Sequence, residues 1–140
     1  MKILLAVDGS AYTKKMLAYL AAHDELLGNT HSYSVISVQA ALPARARAAL
    51  GKSVVDKYYA EEGDKIISPV VKFLARKAIE PERIVKVGPA GETIAQVADE
   101  GKFDLLVMGS RGHGALATLV VGSVTTKVLA RCNVPVLIVP

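Results

Sequence analysis

The sequence predicts a doubly wound α/β fold, an open sheet of five parallel strands joined by four helical crossovers. Three observations predict it. Short apolar runs bounded by glycine, proline or aspartate alternate with stretches whose apolar residues recur at helical spacing. The short runs are apolar at successive positions, as expected of strands covered on both faces. Hydrophobic residues make up 51% of 140 residues, enough for one sizeable core, so residues 1–140 are read as a single domain.

Ile3–Val7 is the first strand, broken at its carboxyl end by Asp8-Gly9-Ser10. Ser10 suits the N-cap of a helix in which Leu17, Leu20 and Ala21 recur and which Gly28 is expected to stop. Tyr33–Val38 is the second strand. Ala40–Lys52 holds Pro43, Gly51 and mostly small or basic residues, and reads as a crossover loop. Ser53 then caps a long helical pattern with Val55, Tyr59, Ile66, Val70 and Leu74 on one face, which Pro69 is expected to kink or divide. Arg83–Val87 is the third strand, ended by Gly88-Pro89. Ile94, Val97 and Ala98 mark a short helix closed by Gly101. Asp104–Met108 is the fourth strand, Val124–Ala130 the last helical run, and Val134–Val139 the fifth strand. In a flavodoxin-like strand order that last apolar strand lies at a sheet edge, where it invites pairing. Two readings stand: a homodimer joined along Val134–Val139, or an edge covered by the chain's own helices.

Composition removes several classes. Met1-Lys2 and the five apolar residues Ile3 to Val7 are too short for a signal peptide or a membrane span, so a soluble, cytoplasmic protein with no membrane contact is expected. The formal charge is only +4, aromatic content is 5% and there is no Trp, a poor match to a nucleic-acid platform. Arg45, Arg47 and Lys52 form the densest basic cluster; it reads as a solvated loop, or else as charge near a bound phosphate. His23, His31 and His113 are scattered and Cys132 stands alone, so no metal site built from side chains is expected. Cys132 reads as a packed small hydrophobe in a reducing compartment.

The segment after the fourth strand carries the chemistry. Gly109-Ser110-Arg111-Gly112 is followed by nine residues and then Gly122-Ser123 at a helix start. Glycines let backbone approach a ligand closely, and a helix start offers unpaired N–H groups to an anion. Gly109 and Gly114 have the gap of a Walker A loop, yet Ala115-Leu116 stand where Lys-Ser/Thr is required. The dinucleotide fingerprint fails as well, since the glycines follow the fourth strand in a different order. A phospho-acceptor receiver would want an acidic pair after the first strand, an aspartate after the third and a lysine after the fifth. The chain offers a lone Asp8, then Val87-Gly88, then Pro140. What remains is a loop hinged by Gly109, Gly112 and Gly114 that delivers Gly122-Ser123. On glycine content alone, holding phosphate and merely making turns stay equally open.

The spacing Gly, two residues, Gly, nine residues, Gly-Ser resembles the ATP-binding signature of the universal stress protein family. Ile3 to Ser10 resembles that family's opening strand, Asp104 to Gly109 its fourth, and Asn133 to Val139 its last, so the likeness covers essentially the whole chain. The resemblance implies a flavodoxin/Rossmann-like, adenine nucleotide alpha-hydrolase-like fold that binds ATP. By position it implies that Asp8 contacts the adenine or ribose side, Val38 offers its backbone to the adenine edge, and Gly109 lies by the ribose. Gly112, Gly122 and Ser123 then hold the phosphates, which carry Mg²⁺ or Mn²⁺ through phosphate oxygens and water. Ser37 stands where many members have histidine, and Ala40–Lys52 follows no family pattern. Asp8 has a second reading, as a cap of the first helix together with Ser10. Arg111 and His113 are either exposed loop side chains or phosphate contacts.

No catalytic constellation is visible, so the expected function is a nucleotide-dependent sensor or switch in stress response. The alternatives are a slow ATP hydrolase acting through His113 or Arg111, and a nucleotide-free dimeric scaffold of the same fold.

Overall fold

The computed structural model describes residues 1–28, 30–112 and 121–140. The strands are β1 (Lys2–Ala6), β2 (Ser32–Gln39), β3 (Glu82–Val87), β4 (Leu105–Gly109) and β5 (Val136–Val139); β1, β2 and β4 are largely buried because helices cover both their faces, whereas the edge strand β3 is mostly exposed. They form one parallel sheet in the order β3-β2-β1-β4-β5, with β1 paired in register Ile3 to Tyr33 on one side and Ile3 to Leu105 on the other. This is the Rossmann order, not the flavodoxin-like one, in which the third strand lies inside the sheet. The last strand stands at an edge in either arrangement.

The crossovers are α1 (Ala11–Ala21), then α2 (Ala44–Leu50) with α3 (Lys52–Ala75), then α4 (Ala90–Glu100), then α5 (Ser123–Arg131). Alternate strand residues serve opposite faces. Ile3, Leu5, Val35 and Val107 meet Met16 and Leu20 of α1 and Ile67 and Leu74 of α3. Leu4, Ile36, Leu106 and Met108 meet Ile94 and Ala98 of α4 and Val128 of α5. Each such large side chain taken fully out of water contributes about 1.5–3 kcal/mol before the entropy of ordering it. The chain leaves β1 toward one side of the sheet and leaves β4 toward the other. A crevice therefore opens between their carboxyl ends, the usual ligand position in doubly wound sheets.

Four expectations need correction. Ala40–Lys52 is not simply a loop, because residues Ala44–Leu50 are helical; alanine, arginine and leucine are strong helix formers, and only Gly51 (φ 83°) separates α2 from α3. Ser53 does not cap α3, which begins at Lys52 without a side-chain cap. Pro69 does not divide the helix, since α3 runs through it from Lys52 to Ala75. Its ring faces solvent, where water can take the carbonyl that loses its donor, while Ile67 and Val70 beside it are buried. Finally, α1 ends at Ala21 and not at Gly28. The following residues form turns whose backbone is taken up by Tyr33, whose hydroxyl donates toward the carbonyl of Leu26 at 2.8 Å and accepts from the Gly28 amide at 2.9 Å.

Candidate functional site

The crevice is built from three chain segments. At the end of β1, Asp8 begins a tight turn in which Gly9 takes φ 76°, a conformation that favours glycine. The Asp8 Oδ1 accepts from the Ser10 amide at 2.9 Å and from the Thr13 hydroxyl at 3.0 Å, and the Asp8 amide donates to Thr13 Oγ1 at 3.2 Å. Ser10 Oγ in turn accepts from the Tyr12 amide at 3.3 Å as the N-cap of α1. Asp8 therefore ties the turn before α1 together with Ser10, and it also lines the cleft.

At the end of β4, the chain passes so close to α1 that only glycine fits. A Cβ on Gly109 would lie 2.8 Å from Tyr12 Cβ. The Gly109 carbonyl accepts from the Thr125 hydroxyl at 3.1 Å, and the Ser110 amide donates to the Val139 carbonyl at 2.9 Å. Beyond it, a Cβ on Gly112 would run into Asp8 Oδ2. The Arg111 guanidinium carbon sits 4.8 Å above the centre of the Tyr12 ring, a cation–π geometry that holds its charge at the mouth of the cleft. Arg111 is half-buried, so it is not an extended, fully solvated loop side chain. His113 and Gly114 lie outside the described residues.

The third segment is the start of α5. Gly122 occupies the N-cap position, so no side chain caps the helix, and no acidic residue stands in its first turn. The first intrahelical bond runs from the Thr126 amide to the Gly122 carbonyl at 3.0 Å, which leaves the amides of residues 123–125 without partners inside the helix. The Gly122 amide itself donates to the Ser110 carbonyl at 2.7 Å. It is thus a fastening between the glycine turn and α5, and not a donor aimed into the cleft. The uncapped helix start and Arg111 together favour negative charge at this end.

The remaining wall is apolar: Ala6 and Val7 from β1, Val38 from the end of β2, Ala90 and Ile94 from α4, Met108 from β4 and Val124 from α5. Gly91 lets α4 press on α5, since a Cβ there would come within 2.6 Å of Lys127 Cβ. Of the residues singled out from the sequence, Asp8, Val38, Gly109 and Gly112 share this one cleft, while Gly122 and Ser123 head α5 beside it. Sequence reasoning missed Thr13, Ala90, Ile94, Met108, Val124 and Thr125. The signal for the two threonines was their place in the first turn of a helix that follows a glycine turn, Gly9 before Thr13 and Gly122 before Thr125. Among the described residues no group of three or more His, Cys, Asp or Glu side chains converges, and no helix is long and apolar enough to cross a membrane.

The family model for the universal stress protein family matches residues 1–140. Among relatives, the universal stress protein Slr1230 of Synechocystis is 32% identical over 136 residues, covering 97% of this chain and 41% of its own length. A universal stress protein of Thermus aquaticus, encoded in the 3' region of a QAH/OAS sulfhydrylase, is 31% identical over 138 residues, covering 98% and 96%. Among solved structures, MJ0577 of Methanocaldococcus jannaschii superposes with a TM-score of 0.82 at 26% identity, covering 99% of this chain and 94% of that one. The same fold recurs in an Arabidopsis thaliana family member solved with AMP bound (TM-score 0.69, 16% identity, 99% and 90% covered). It recurs again in an Archaeoglobus fulgidus universal stress protein in complex with dAMP (TM-score 0.69, 21% identity, 100% and 98% covered). The chain belongs to the universal stress protein family.

Proposed function

We propose that this cleft binds ATP and that the protein, folded as one domain over residues 1–140, acts as a nucleotide-dependent sensor or switch in stress response and not as a catalyst. The observation that carries the reading is the convergence of Asp8, Val38, Gly109 and Gly112, from three separate strand ends, on one cleft flanked by the uncapped start of α5. Family members of the same fold solved with AMP and with dAMP support the class of ligand.

In this reading the adenine lies in the apolar slot between Val38, Ile94 and Met108, with the Val38 backbone at its edge. Asp8, a hydrogen-bond acceptor, meets the adenosine side, and Gly109 lies by the ribose. Phosphates lie toward the amides of residues 123–125, the Ser123 hydroxyl and Arg111. Gly112 and Gly122 make the close approach possible. Mg²⁺ or Mn²⁺ comes with the nucleotide, held by phosphate oxygens and water. The edge position of β5 suits a homodimer joined along Val134–Val139.

The test is direct. Purified protein is denatured, the supernatant is run on ion-exchange chromatography for ATP, and the refolded or ligand-free protein is titrated with Mg-ATP by calorimetry. Co-purified ATP or a saturating heat is expected. Neither would leave the nucleotide-free scaffold as the better reading. Light scattering of wild type and Ile138→Lys, on the edge strand but outside both core clusters, checks the dimer, which the charge should disperse while urea denaturation shows a retained fold.

A further inference from the structure

We infer that Thr13 is a positioning residue for nucleoside binding, an inference that rests on the nucleotide reading of the cleft. Its hydroxyl is buried, at 7% exposure for the residue, and it engages one residue twice. It accepts from the Asp8 amide at 3.2 Å and donates to Asp8 Oδ1 at 3.0 Å. The direction is fixed by chemistry, because an amide can only donate and an ionised carboxylate can only accept. Main chain and side chain of Asp8 are thereby held by a single group from α1.

Helix capping does not account for this hydroxyl. The cap of α1 is supplied by Ser10, whose Oγ accepts from the Tyr12 amide, and the Thr13 amide already donates to the Ser10 carbonyl at 3.1 Å. Threonine is moreover a poor helix former compared with alanine, so nothing in α1 itself calls for it. What the hydroxyl does is restrict the rotation of a half-buried carboxylate at the wall of the cleft. That carboxylate can take a hydrogen bond from a ribose hydroxyl or an exocyclic amine, and it repels phosphate. The contribution of Thr13 should therefore fall on the nucleoside part of the ligand.

Wild type, Thr13→Val, Thr13→Ser, Asp8→Asn and the double variant Asp8→Asn/Thr13→Val are titrated with ATP, adenosine and tripolyphosphate, alongside urea denaturation. Thr13→Val should weaken ATP and adenosine by the same factor, about 10-fold, with tripolyphosphate unchanged. Thr13→Ser, which keeps the hydroxyl, should restore affinity to within about 2-fold. The double variant should bind no more weakly than Asp8→Asn. Leu20→Ala, on the same helix but in the core, should lower stability and leave adenosine affinity alone. Should Thr13→Val fail to fold, Thr13→Ala read against Leu20→Ala makes the same comparison. Wild-type affinity in the folded Thr13 variant overturns the inference, as do equal losses for adenosine and tripolyphosphate, or additive losses in the double variant. A wild type that binds neither ATP nor adenosine overturns the nucleotide reading itself, and this inference with it.

Discussion

Replacing Gly122 by valine should abolish ATP binding in a protein that still folds, and the geometry says why. Gly122 has φ −77° and ψ 169°, ordinary extended backbone for any residue, so the effect is steric and not conformational. A Cβ there would lie 3.2 Å from Arg111 Cα and 3.5 Å from the Ser110 carbonyl oxygen. Alanine therefore needs a shift of a few tenths of an ångström. Valine adds two γ-carbons about 1.5 Å further out, filling two of the three staggered positions around Cβ. Two of its three rotamers put a γ-carbon toward the Ser110–Arg111 backbone, and the third still carries the Cβ contact of 3.2 Å while confining the side chain to one rotamer. Relief requires the glycine turn to move off α5, which costs about 1–3 kcal/mol of overpacking. It also breaks the bond of 2.7 Å from the Gly122 amide to Ser110, worth about 1 kcal/mol. A loss of about 2–4 kcal/mol is survivable against a typical total of about 5–15 kcal/mol, and should lower Tm by about 6–12 °C. Separating the turn from the helix start removes phosphate donors worth about 1.5–3 kcal/mol each, so affinity should fall at least about 100-fold. The assay is calorimetric titration with Mg-ATP beside urea denaturation, for wild type, Gly122→Ala and Gly122→Val. Graded loss with alanine intermediate is expected. A folded valine variant with wild-type affinity would refute the assignment of this junction to the phosphate end.

Three further outcomes are expected. Gly112→Ala places a methyl against Asp8 Oδ2, which is tethered through Oδ1 to Thr13 and Ser10 and cannot swing freely; adenosine affinity measured by calorimetry should fall about 10-fold or more. Pro69→Ala, at an exposed position inside α3, should raise stability by about 1–3 kcal/mol in urea denaturation, because the helix regains a backbone donor. Burial pushes the Tyr33 phenol above its usual 10.0 in the folded state, so the neutral form stabilises the fold. That contribution is complete below pH 10.0 and is lost as pH rises through the raised value, so wild type should lose stability at alkaline pH more steeply than Tyr33→Phe.

The strands were legible because a parallel sheet covered on both faces demands consecutive apolar residues, and Ile3–Val7 and Asp104–Met108 differ from the observed β1 and β4 by one residue at each end. α2 was not legible, because none of its residues is buried and a helix without a buried face leaves no periodic trace. There the propensity of Ala44 to Leu50 outweighed Pro43 and Gly51, which merely bound it. Pro69 misled because a missing donor and the ring's clash with the carbonyl one turn earlier weaken a helix without having to end it, and the packing of Ile67, Val70 and Leu74 carries α3 through. Strand order was hidden because periodicity reports how a strand is covered, not which strand lies beside it. Nothing in Arg83–Val87 says that β3 pairs outside β2.

In the site, the glycines were legible and their reasons were not. Each marks a place where a side chain is missing because another segment occupies the space: Tyr12 against Gly109, the Asp8 carboxylate against Gly112, Arg111 against Gly122. Two of those three partners belong to the turn and first turn of α1, at the opposite end of the chain. The glycine loop is therefore shaped less by the ligand alone than by the surface it folds onto, and Asp8, Tyr12 and Thr13 form that surface. Arg111 belongs to the same joint, stacked on Tyr12 at 4.8 Å. This explains why the two threonines escaped notice. A hydroxyl in a helix's first turn is ordinarily read as a cap, whereas Thr13 and Thr125 bind Asp8 and Gly109, residues of the cleft itself. The cleft thus lies across both sides of one joint, the β1–α1 turn and the β4–α5 turn, and the proposed nucleotide would span it. Any change that loosens one against the other should weaken binding without touching a ligand atom.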